Sequence, residues 1–395
     1  ERYRRGLPRR GWEIEVDGHR YRLVFGDLHE HSEISRCRRS TDESEDQSYE
    51  MMRSVVGYDF GALTDHGYNF TPYLWHHHAK RTRANADPGR FLTVLAQEWT
   101  STFERSRPTH PYGWWGHRNL FFADPWTRTW DNATEGKTPE ALRIFLRRRG
   151  ADFLLIPHQL ADRVNVPMDW STHDPVTEPV AEIYQARGSY ECAACPLAAH
   201  HATPPGWYLQ DAWARGHVVG VVAAPEHHGG YGLAAVYVDS LDVPALFEAL
   251  RARRSYGTTG AKILVDLRVA GAPMGSVRPE SSGPVPVRLR VWGTAPIETV
   301  EVLASNEVVQ RWSGEGRVRL DLEADLPPPG GPTWVYARIR QVDGHMAWTS
   351  PVWLGTVPSP KEGDGRGATS PPAGGSAAPA TGERPAASAF PKAAP

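Results

Sequence analysis

Between residues 20 and 260, short apolar runs repeatedly end in or carry histidine, arginine or a carboxylate, and this pattern limits the fold more than any other feature. Apolar runs of about four to eight residues are typical of strands buried on both faces of a sheet. Amphipathic segments follow several of the runs, and strands that alternate with helices predict an α/β barrel. The seven strand candidates are YRLVFGDLHEH, DFGALTDHG, RFLTVLAQEW, GHRNLFFAD, ADFLLIPHQ, VAEIYQARG and HVVGVVAAPEHHGG.

Two of the predicted helices carry recognisable start signals. Ser44 and Gln47 form a predicted capping box before SYEMMRSVV. Thr138 and Pro139 open the segment EALRIFLRRR, which Gly150 ends. These signals support helices between the buried runs, as the predicted barrel requires.

After residue 260 the sequence alternates apolar and polar residues, as in VPVRLRVW and WVYARIRQV, with Gly- and Pro-rich turns between the segments. Such alternation predicts half-exposed antiparallel strands, hence a small all-β sandwich that supplies no metal ligand and is dispensable for the chemistry. The last residues are mostly Pro, Ala, Gly and Ser, which cannot bury a core. The predicted regions are an N-terminal extension at 1–19, a catalytic domain at 20–260, a sandwich at 261–357 and a disordered tail at 358–395.

Charge and hydropathy narrow the classes of partner. The formal net charge is −2, so no global field attracts nucleic acid or an anionic membrane. No apolar run approaches the ~20 residues that span a bilayer. We therefore expect a small-molecule substrate and a cytoplasmic location, while the start at Glu1 rather than Met leaves an export signal open. The lone C-x-x-C of Cys192 and Cys195 is interpreted as small buried thiols.

The two histidines one residue apart, His29 and His31, indicate a metal ion. Side chains alternate faces along a strand, so both imidazoles lie on one side and converge on one point. A single histidine after a strand is more often an ordinary hydrogen-bonded residue, and the HHH at 76–78 is assigned to a helix or the surface. Ligand-type residues at six strand ends favour a metal site. These candidates are His29, His31, His66, Glu98, His158, Glu226 and His228, whereas His117, at the start of its run, fits less well.

The ordered motifs GDLHEHS, ALTDHG, LAQEWT, GHRNLFF, LIPHQ and APEHHGG resemble those of the PHP (polymerase and histidinol phosphatase) superfamily. The resemblance covers about residues 20 to 350 and is greatest to an uncharacterised bacterial branch with a C-terminal β domain. It implies a distorted seven-stranded β/α barrel with up to three divalent metal ions, commonly Zn, Mn or Fe. It also implies phosphoesterase activity, since characterised members are mostly phosphoesterases.

The resemblance also implies which residues bind each ion. It places His29 and His31 with bridging Glu98 and Glu226 at one ion, Glu98, His117 and His158 at a second, and His66 and His228 at a third. The family usually has Asp at the position of Glu226. Its usual His or Asp after the H-x-H is replaced by Arg36 and Cys37, so the third ion needs the Cys37 thiolate. Whether two or three ions bind is therefore left open.

Clustered metal ions indicate hydrolysis, because two ions roughly 3.5–4 Å apart lower the pKa of a shared water. We predict a phosphoesterase that uses a metal-bound hydroxide, with Glu98, His31 and Glu226 as its catalytic residues. Asp27 and Asp65 precede ligand histidines and either orient imidazoles or cap the local turn. The arginines predicted to bind the substrate phosphate are Arg118, Arg163 and Arg187.

Two alternatives stay open. An amidohydrolase-like enzyme acting on a non-phosphate substrate also begins with H-x-H, but its usual carbamylated lysine has no counterpart here, since Lys80 and Lys137 lie outside predicted strands. A carbohydrate-binding protein with a degenerate site would explain the Trp-rich loops, but the intact ligand set opposes it. The sequence indicates neither the substrate nor the oligomeric state.

Overall fold

The computed structural model of the protein describes residues 12–35, 37, 42–100, 115–127, 138–163, 167–227 and 231–355. The predicted tail at 358–395 and the predicted ligand His228 lie outside the described residues. Most of the predicted N-terminal extension also lies outside them, because description begins at Trp12.

Strands provide most of the regular structure in the described residues. In chain order they are β1 (Glu13–Val16), β2 (His19–Glu30), β3 (Phe60–Leu63), β4 (Leu92–Thr93), β5 (Leu95–Trp99), β6 (His117–Phe122), β7 (Phe153–His158), β8 (Val180–Gln185), β9 (Gly188–Ser189), β10 (Gly220–Ala223) and β11 (Leu233–Val238). They continue as β12 (Ser255–Thr258), β13 (Leu264–Val269), β14 (Ala272–Pro273), β15 (Val277–Arg278), β16 (Val285–Trp292), β17 (Ile297–Ala304), β18 (Glu307–Ser313), β19 (Arg319–Leu326), β20 (Thr333–Gln341), β21 (Met346–Thr349) and β22 (Val352–Leu354).

The helices are short. The α-helices are α1 (Glu45–Glu50), α2 (Pro72–Ala84), α3 (Pro139–Arg148), α4 (Leu209–Ala214) and α5 (Val243–Arg251), and a π-helix at Met51–Val56 continues α1. Two 3₁₀ turns lie at Gly67–Asn69 and Trp170–Thr172. No helix among the described residues combines the length and apolar character needed to cross a bilayer.

The predicted helix starts are confirmed. Ser44 accepts a hydrogen bond from the backbone N–H of Gln47, whose side chain bonds back to the Ser44 N–H. Thr138 caps α3 by accepting from the Ala141 N–H at 3.1 Å, with Pro139 at the first helical position. The three consecutive histidines lie on α2, as expected.

The described strands form one large sheet and three small ones. The large sheet has 12 strands, with the order β15-β22-β20-β21-β12-β11-β2-β3-β4, while β1 pairs with β2, and β17 joins β18 to β20. The small sheets have the orders β10-β8-β9, β14-β13-β16-β19 and β5-β6-β7.

The predicted β/α barrel is wrong, because the described strands form several sheets and no closed barrel. Strands account for 40% of the structure and helices for only 18%. β6 pairs antiparallel with both β5 and β7, and β11 pairs antiparallel with both β2 and β12. Antiparallel neighbours need no helical crossover. Continuous apolar runs report burial on both faces, which parallel and antiparallel strands share, so the sequence pattern did not reveal strand direction.

The alternating segments after residue 260 are strands, as predicted, but they do not pair only with one another. β21 pairs with β12, so the large sheet runs from β2 and β3 into the C-terminal strands. The β14-β13-β16-β19 sheet contributes to an apolar core shared with this sheet, in which Leu267 and Leu289 join Val300 and Ile339. The boundary near residue 260 stays a prediction.

Cys192 and Cys195 form a disulfide, so their interpretation as free buried thiols is wrong. A turn brings their Cα atoms to 5.1 Å, and the backbone N–H of Cys195 donates to the Cys192 carbonyl. The sequence spacing left open whether such a turn would form.

Several strand ends meet at one place and define the site. Isolated parallel bridges join Glu30 to Glu226 and His66 to Glu98, which link the ends of β2, β3 and β5 to the segment after β10. Beneath them lies an apolar cluster that includes Leu28, Ala96, Ile156 and Val222. A packed core thus supports a polar cluster at the strand ends.

Candidate metal centre

Glu98 on β5 is buried at the centre of the candidate site. Five imidazoles from distant parts of the chain lie within 4.0 Å of its carboxylate. Oε1 lies 2.9 Å from His117 Nδ1 and 3.2 Å from His66 Nδ1, and Oε2 lies 3.4 Å from His31 Nε2, 3.7 Å from His158 Nε2 and 4.0 Å from His29 Nε2. Folding therefore gathers the predicted histidines around the predicted bridge.

His117 reaches this cluster although it begins its strand. β6 runs antiparallel to β5 and β7, so its first residue lies at the same edge as their last residues. In this register His117 pairs directly with His158, and the two rings lie 5.5 Å apart. The poor fit of His117 to the expected geometry came from the wrong strand direction.

The arrangement of donors fits metal ions. Two groups of three donors, His29–His31–Glu98 and Glu98–His117–His158, each hold their ligand atoms within 4.8 Å of one another and share Glu98. His29 Nε2 and both ring nitrogens of His158 are buried without hydrogen-bond partners. Buried nitrogens are normally hydrogen-bonded, and each neutral imidazole keeps one lone pair, so the unpaired lone pairs of His29 and His158 can bind an electron-pair acceptor. A divalent cation would satisfy them, and the assignment of these residues as ligands remains a proposal.

The pKa shifts of the buried histidines and carboxylates also fit the binding of cations. Burial lowers the pKa of His29 to about 3 and that of His158 well below its usual range, so both imidazoles are neutral, as metal ligands must be. Burial would raise the pKa of Glu98, but the imidazoles of His66 and His117 hold it well below the usual range. Burial raises the pKa of Glu182, and the nearby Glu226 carboxylate raises it further. Positive charge bound at the cluster would favour the ionised forms of these carboxylates.

Glu226 lies beside the cluster in an unusual conformation. Its φ is 73° and that of Gln159 is 53°, both in the left-handed region, where such residues are uncommon. Gln159 Nε2 donates to Glu226 Oε1 at 2.7 Å, and Arg187 Nη1 contacts both carboxylate oxygens. Burial opposes ionisation, but the Arg187 guanidinium lowers the pKa of Glu226 to about 2. Backbone strain of this kind concentrates at functional sites.

A further group of donors surrounds Cys37. Its sulfur lies within 4.8 Å of the ligand atoms of His31 and His66, which form one group, and of those of Asp42 and His227, which form another. The Cys37 thiol donates to Asp42 Oδ2 at 3.5 Å, and His227 Nδ1 lies 3.0 Å from Asp42 Oδ1. The His227 ring stacks on that of His31 at 4.8 Å. His227, which the sequence motif passed over in favour of His228, therefore faces this group.

Asp27 and Asp65 both accept hydrogen bonds from backbone N–H groups. Asp27 Oδ1 accepts from the backbone N–H of His29 at 2.8 Å. Asp65 accepts from the backbone N–H groups of Ser32 and Ser35, at 2.8 and 3.0 Å, and from the Ser32 hydroxyl. For Asp65 the geometry therefore supports the capping role, in the loop that follows β2, whereas the bond to Asp27 lies within β2.

Other residues contact the imidazoles instead. His29 Nδ1 lies 2.9 Å from Glu182 Oε2, His31 Nδ1 2.7 Å from Ser35 Oγ, and His66 Nδ1 2.8 Å from Thr100 Oγ1. Sequence reasoning missed these three as orienting groups, as it did Gln159 and Asp42. Only Glu182 carried a signal, as a carboxylate within an apolar strand run.

The three arginines differ in their placement. Arg118 is fully buried, and its guanidinium bonds to Glu178, the Trp115 and Gly116 carbonyls and Thr172. That pairing occupies the guanidinium, so we do not retain Arg118 as a substrate residue. Arg163 is exposed, with its backbone N–H bonded to the His201 carbonyl, and no described contact joins it to the cluster. Arg187 alone contacts a cluster residue.

Comparisons with known proteins give relatives without an established function. No family model matches the chain. An uncharacterized protein of Chlamydia pneumoniae is 26% identical over 370 residues, which cover 84% of this chain and 57% of that protein. An uncharacterized protein of Chlamydia trachomatis is 32% identical over 140 residues, which cover 31% of this chain and 22% of that protein. The chain thus spans less than two thirds of the length of these relatives.

Among solved structures, the chain is similar to a two-domain protein from Bacteroides vulgatus, described as containing a predicted PHP-like metal-dependent phosphoesterase. The TM-score is 0.43 and the identity 13%, over 88% of this chain and all of that one. A TM-score of this size does not show a common fold.

Proposed function

We propose that the chain is a metal-dependent hydrolase that acts on a small-molecule phosphate ester. The observation that carries the proposal is the buried Glu98 carboxylate with five imidazoles around it. Buried ring nitrogens without hydrogen-bond partners support it. An ordinary polar core would pair such atoms with one another.

We assign two ions to the cluster, with a third as an extension. His29, His31, Glu98 and Glu226 would hold the first, and Glu98, His117 and His158 the second. The third would use His66 and Cys37 with Asp42 and His227, or with His228, which lies outside the described residues. Imidazole-rich ligand sets suit Zn, Mn or Fe better than Mg.

The protein's own groups have distinct roles in this proposal. Divalent ions supply Lewis acidity, which lowers the pKa of water and offsets the negative charge of a phosphate. Glu98 bridges the two ligand groups and so sets their spacing. Arg187, which now contacts Glu226, offers a guanidinium that can bind phosphate oxygens bidentately. Its side chain is 21% exposed, which leaves it accessible to substrate.

Glu98→Gln tests the proposal. The amide keeps the shape of the side chain but removes the negative charge shared by both ligand groups, so we expect loss of metal and a fall in kcat of at least about 10²–10³-fold. Metal content by elemental analysis and hydrolysis of a panel of phosphate esters would be measured together. Asp266→Asn is the matched control, because it removes a buried carboxylate in β13, which contributes nothing to the cluster.

Three outcomes would count against the proposal. Near-normal turnover by metal-depleted Glu98→Gln would show that catalysis does not need Glu98 as a bridge. A metal content of less than about one ion per wild-type chain after gentle purification would show that the cluster is not a metal site. A wild type that is inactive on every phosphate ester but active on amides or lactones would move the assignment to an amidohydrolase-like enzyme.

A further inference from the structure

We propose that Glu182 is a positioning residue that holds the His29 imidazole in its metal-binding orientation and thereby strengthens metal binding at the first ligand group. The inference rests on the proposed metal centre, since His29 must be a ligand for it to hold. It adds a carboxylate that belongs to none of the candidate ligand groups among the described residues and that contacts one of their members, His29.

The geometry of the pair carries the inference. Glu182 and His29 are both buried, with Glu182 Oε2 2.9 Å from His29 Nδ1. The opposite ring nitrogen, Nε2, is buried without a hydrogen-bond partner and lies 4.0 Å from Glu98 Oε2. One nitrogen of the ring is therefore held by a carboxylate while the other faces the cluster. That is the arrangement by which a carboxylate fixes the tautomer of a metal-binding histidine.

Glu182 differs from the groups that contact the neighbouring imidazoles. His31 bonds to the hydroxyl of Ser35, which can either donate or accept. His66 Nδ1 lies 2.8 Å from the Thr100 hydroxyl and 3.2 Å from Glu98 Oε1. Cations bound at the cluster would favour the ionised form of Glu182, which can only accept, so it then requires a proton on His29 Nδ1 and leaves the lone pair on Nε2. Glu182 thereby specifies Nε2 as the metal-binding nitrogen of His29.

The backbone holds Glu182 firmly in place. Glu182 lies in the middle of β8 and pairs in register with Val222 of the parallel strand β10. Its neighbours Ala181 and Ile183 are buried in an apolar cluster. A side chain on a buried strand keeps its orientation better than one on a loop, as an orienting group needs.

Two substitutions separate the contribution of the hydrogen bond from that of the charge. Glu182→Ala removes both, and we expect it to weaken metal binding about 100-fold, the upper end of the range for residues that orient a metal ligand. Glu182→Gln keeps an acceptor oxygen but loses the charge, so we expect about 10-fold. Asp266→Asn serves as the control, since Asp266 is a buried carboxylate that bonds to Arg268 and Arg290 in the C-terminal sheet. Its metal affinity should equal that of the wild type.

The measurement is titration of the metal-free full-length chain with Co²⁺. Visible absorption would report the Co²⁺ ligand field, and competition with a chelator would give the Kd, without any measurement of activity. The expected order of affinity is wild type and Asp266→Asn, then Glu182→Gln, then Glu182→Ala, with the two Glu182 variants also altering the visible spectrum. Near-UV circular dichroism would check that each variant is folded, and if Glu182→Ala is not, Glu182→Gln decides.

The outcomes distinguish this inference from the proposed function. If the wild type binds Co²⁺ and a folded Glu182→Ala binds it within about twofold with the same spectrum, the positioning role is overturned while the metal centre stands. If Glu182→Ala is unfolded and Glu182→Gln matches the wild type in affinity and spectrum, the positioning role is likewise overturned. If the wild type binds no Co²⁺, the metal centre fails and this inference fails with it.

Discussion

At the scale of single residues, Cys37 adds a candidate ligand of different chemistry to the cluster. Burial would raise the pKa of its thiol, but the imidazoles of His31 and His66 lower it, which favours the thiolate that binds metal. The thiol sulfur lies within 4.8 Å of ligand atoms of these two imidazoles and of Asp42 and His227. Thiolate ligands favour Zn over Mg or Mn. The chain therefore places thiol, imidazole and carboxylate donors together beside its nitrogen-rich cluster.

Cys37→Ser tests whether this group binds an ion. We expect the variant to lose about one bound ion per chain, because a hydroxyl is a far poorer ligand than a thiolate for zinc. Its thermal stability without metal should be unchanged, since Cys37 is exposed as a residue and only its thiol is partly covered. Elemental analysis of zinc-loaded protein checks the stoichiometry. A near-ultraviolet thiolate-to-Co²⁺ absorption band, expected for wild type and absent from the variant, is an independent readout. Equal metal content and no such band in either protein would exclude Cys37 as a ligand.

At the scale of secondary-structure elements, the close approach of β2 to β3 positions the first candidate ligands, His29 and His31. Gly26 pairs in register with Phe60, and a Cβ atom on Gly26 would lie 2.3 Å from both the Phe60 Cδ2 atom and the Phe60 carbonyl oxygen. Only glycine permits this approach. Since β2 carries His29 three residues further on, the spacing of these strands also determines where His29 lies relative to His66.

Gly26→Ala should therefore damage both the fold and the site. Overpacking of a core commonly costs about 1–3 kcal/mol, and a clash with backbone here places the change at the upper end of that range. Denaturant unfolding of the metal-free protein gives this loss, and Co²⁺ titration shows the accompanying fall in affinity. Gly283→Ala is the matched control, because no atom lies within 4 Å of a Cβ at that position. A Gly26→Ala protein with wild-type stability would contradict the close approach of β2 and β3.

At the scale of the whole molecule, the C-terminal strands share buried contacts with the strands that build the site. β21 pairs with β12, and the buried Glu191 accepts hydrogen bonds from Tyr336, Arg338 and Trp348. The described C-terminal strands supply no residue to the candidate ligand groups, yet their side chains satisfy Glu191, a buried carboxylate of the region that does. Removing the partners of a buried carboxylate is costly.

We therefore expect a chain that ends at residue 262 to be unfolded or insoluble. It would lose β21, which pairs with β12, and the three partners of Glu191. The edge of β12 and the apolar core that the C-terminal strands cover would then be exposed. Circular dichroism and size-exclusion chromatography of the shortened chain check this expectation, with the chain ending at residue 357 as the control. A folded, metal-binding chain of 262 residues would show that the C-terminal strands are dispensable, as the sequence alone had suggested.

The sequence by itself determined the features that depend on local pattern. Caps such as Ser44 and Thr138 mark helix starts, because the first backbone N–H groups of a helix need acceptors from nearby residues. Alternating segments after residue 260 became strands, because period-two patterning suits one buried face. The H-x-H of His29 and His31 marked the candidate site, because neighbouring side chains on one strand face depend only on strand periodicity.

Only the tertiary structure decided how these pieces are joined. Burial patterns do not encode strand direction, so the sheets replaced the predicted barrel, and the antiparallel course of β6 brought His117 to the cluster. Contacts between residues far apart in the chain likewise paired Glu182 with His29 and Arg118 with Glu178. A carboxylate or guanidinium looks the same in sequence whether it orients a ligand, binds substrate or forms a buried ion pair. Its role depends on which groups the completed fold places within hydrogen-bond reach.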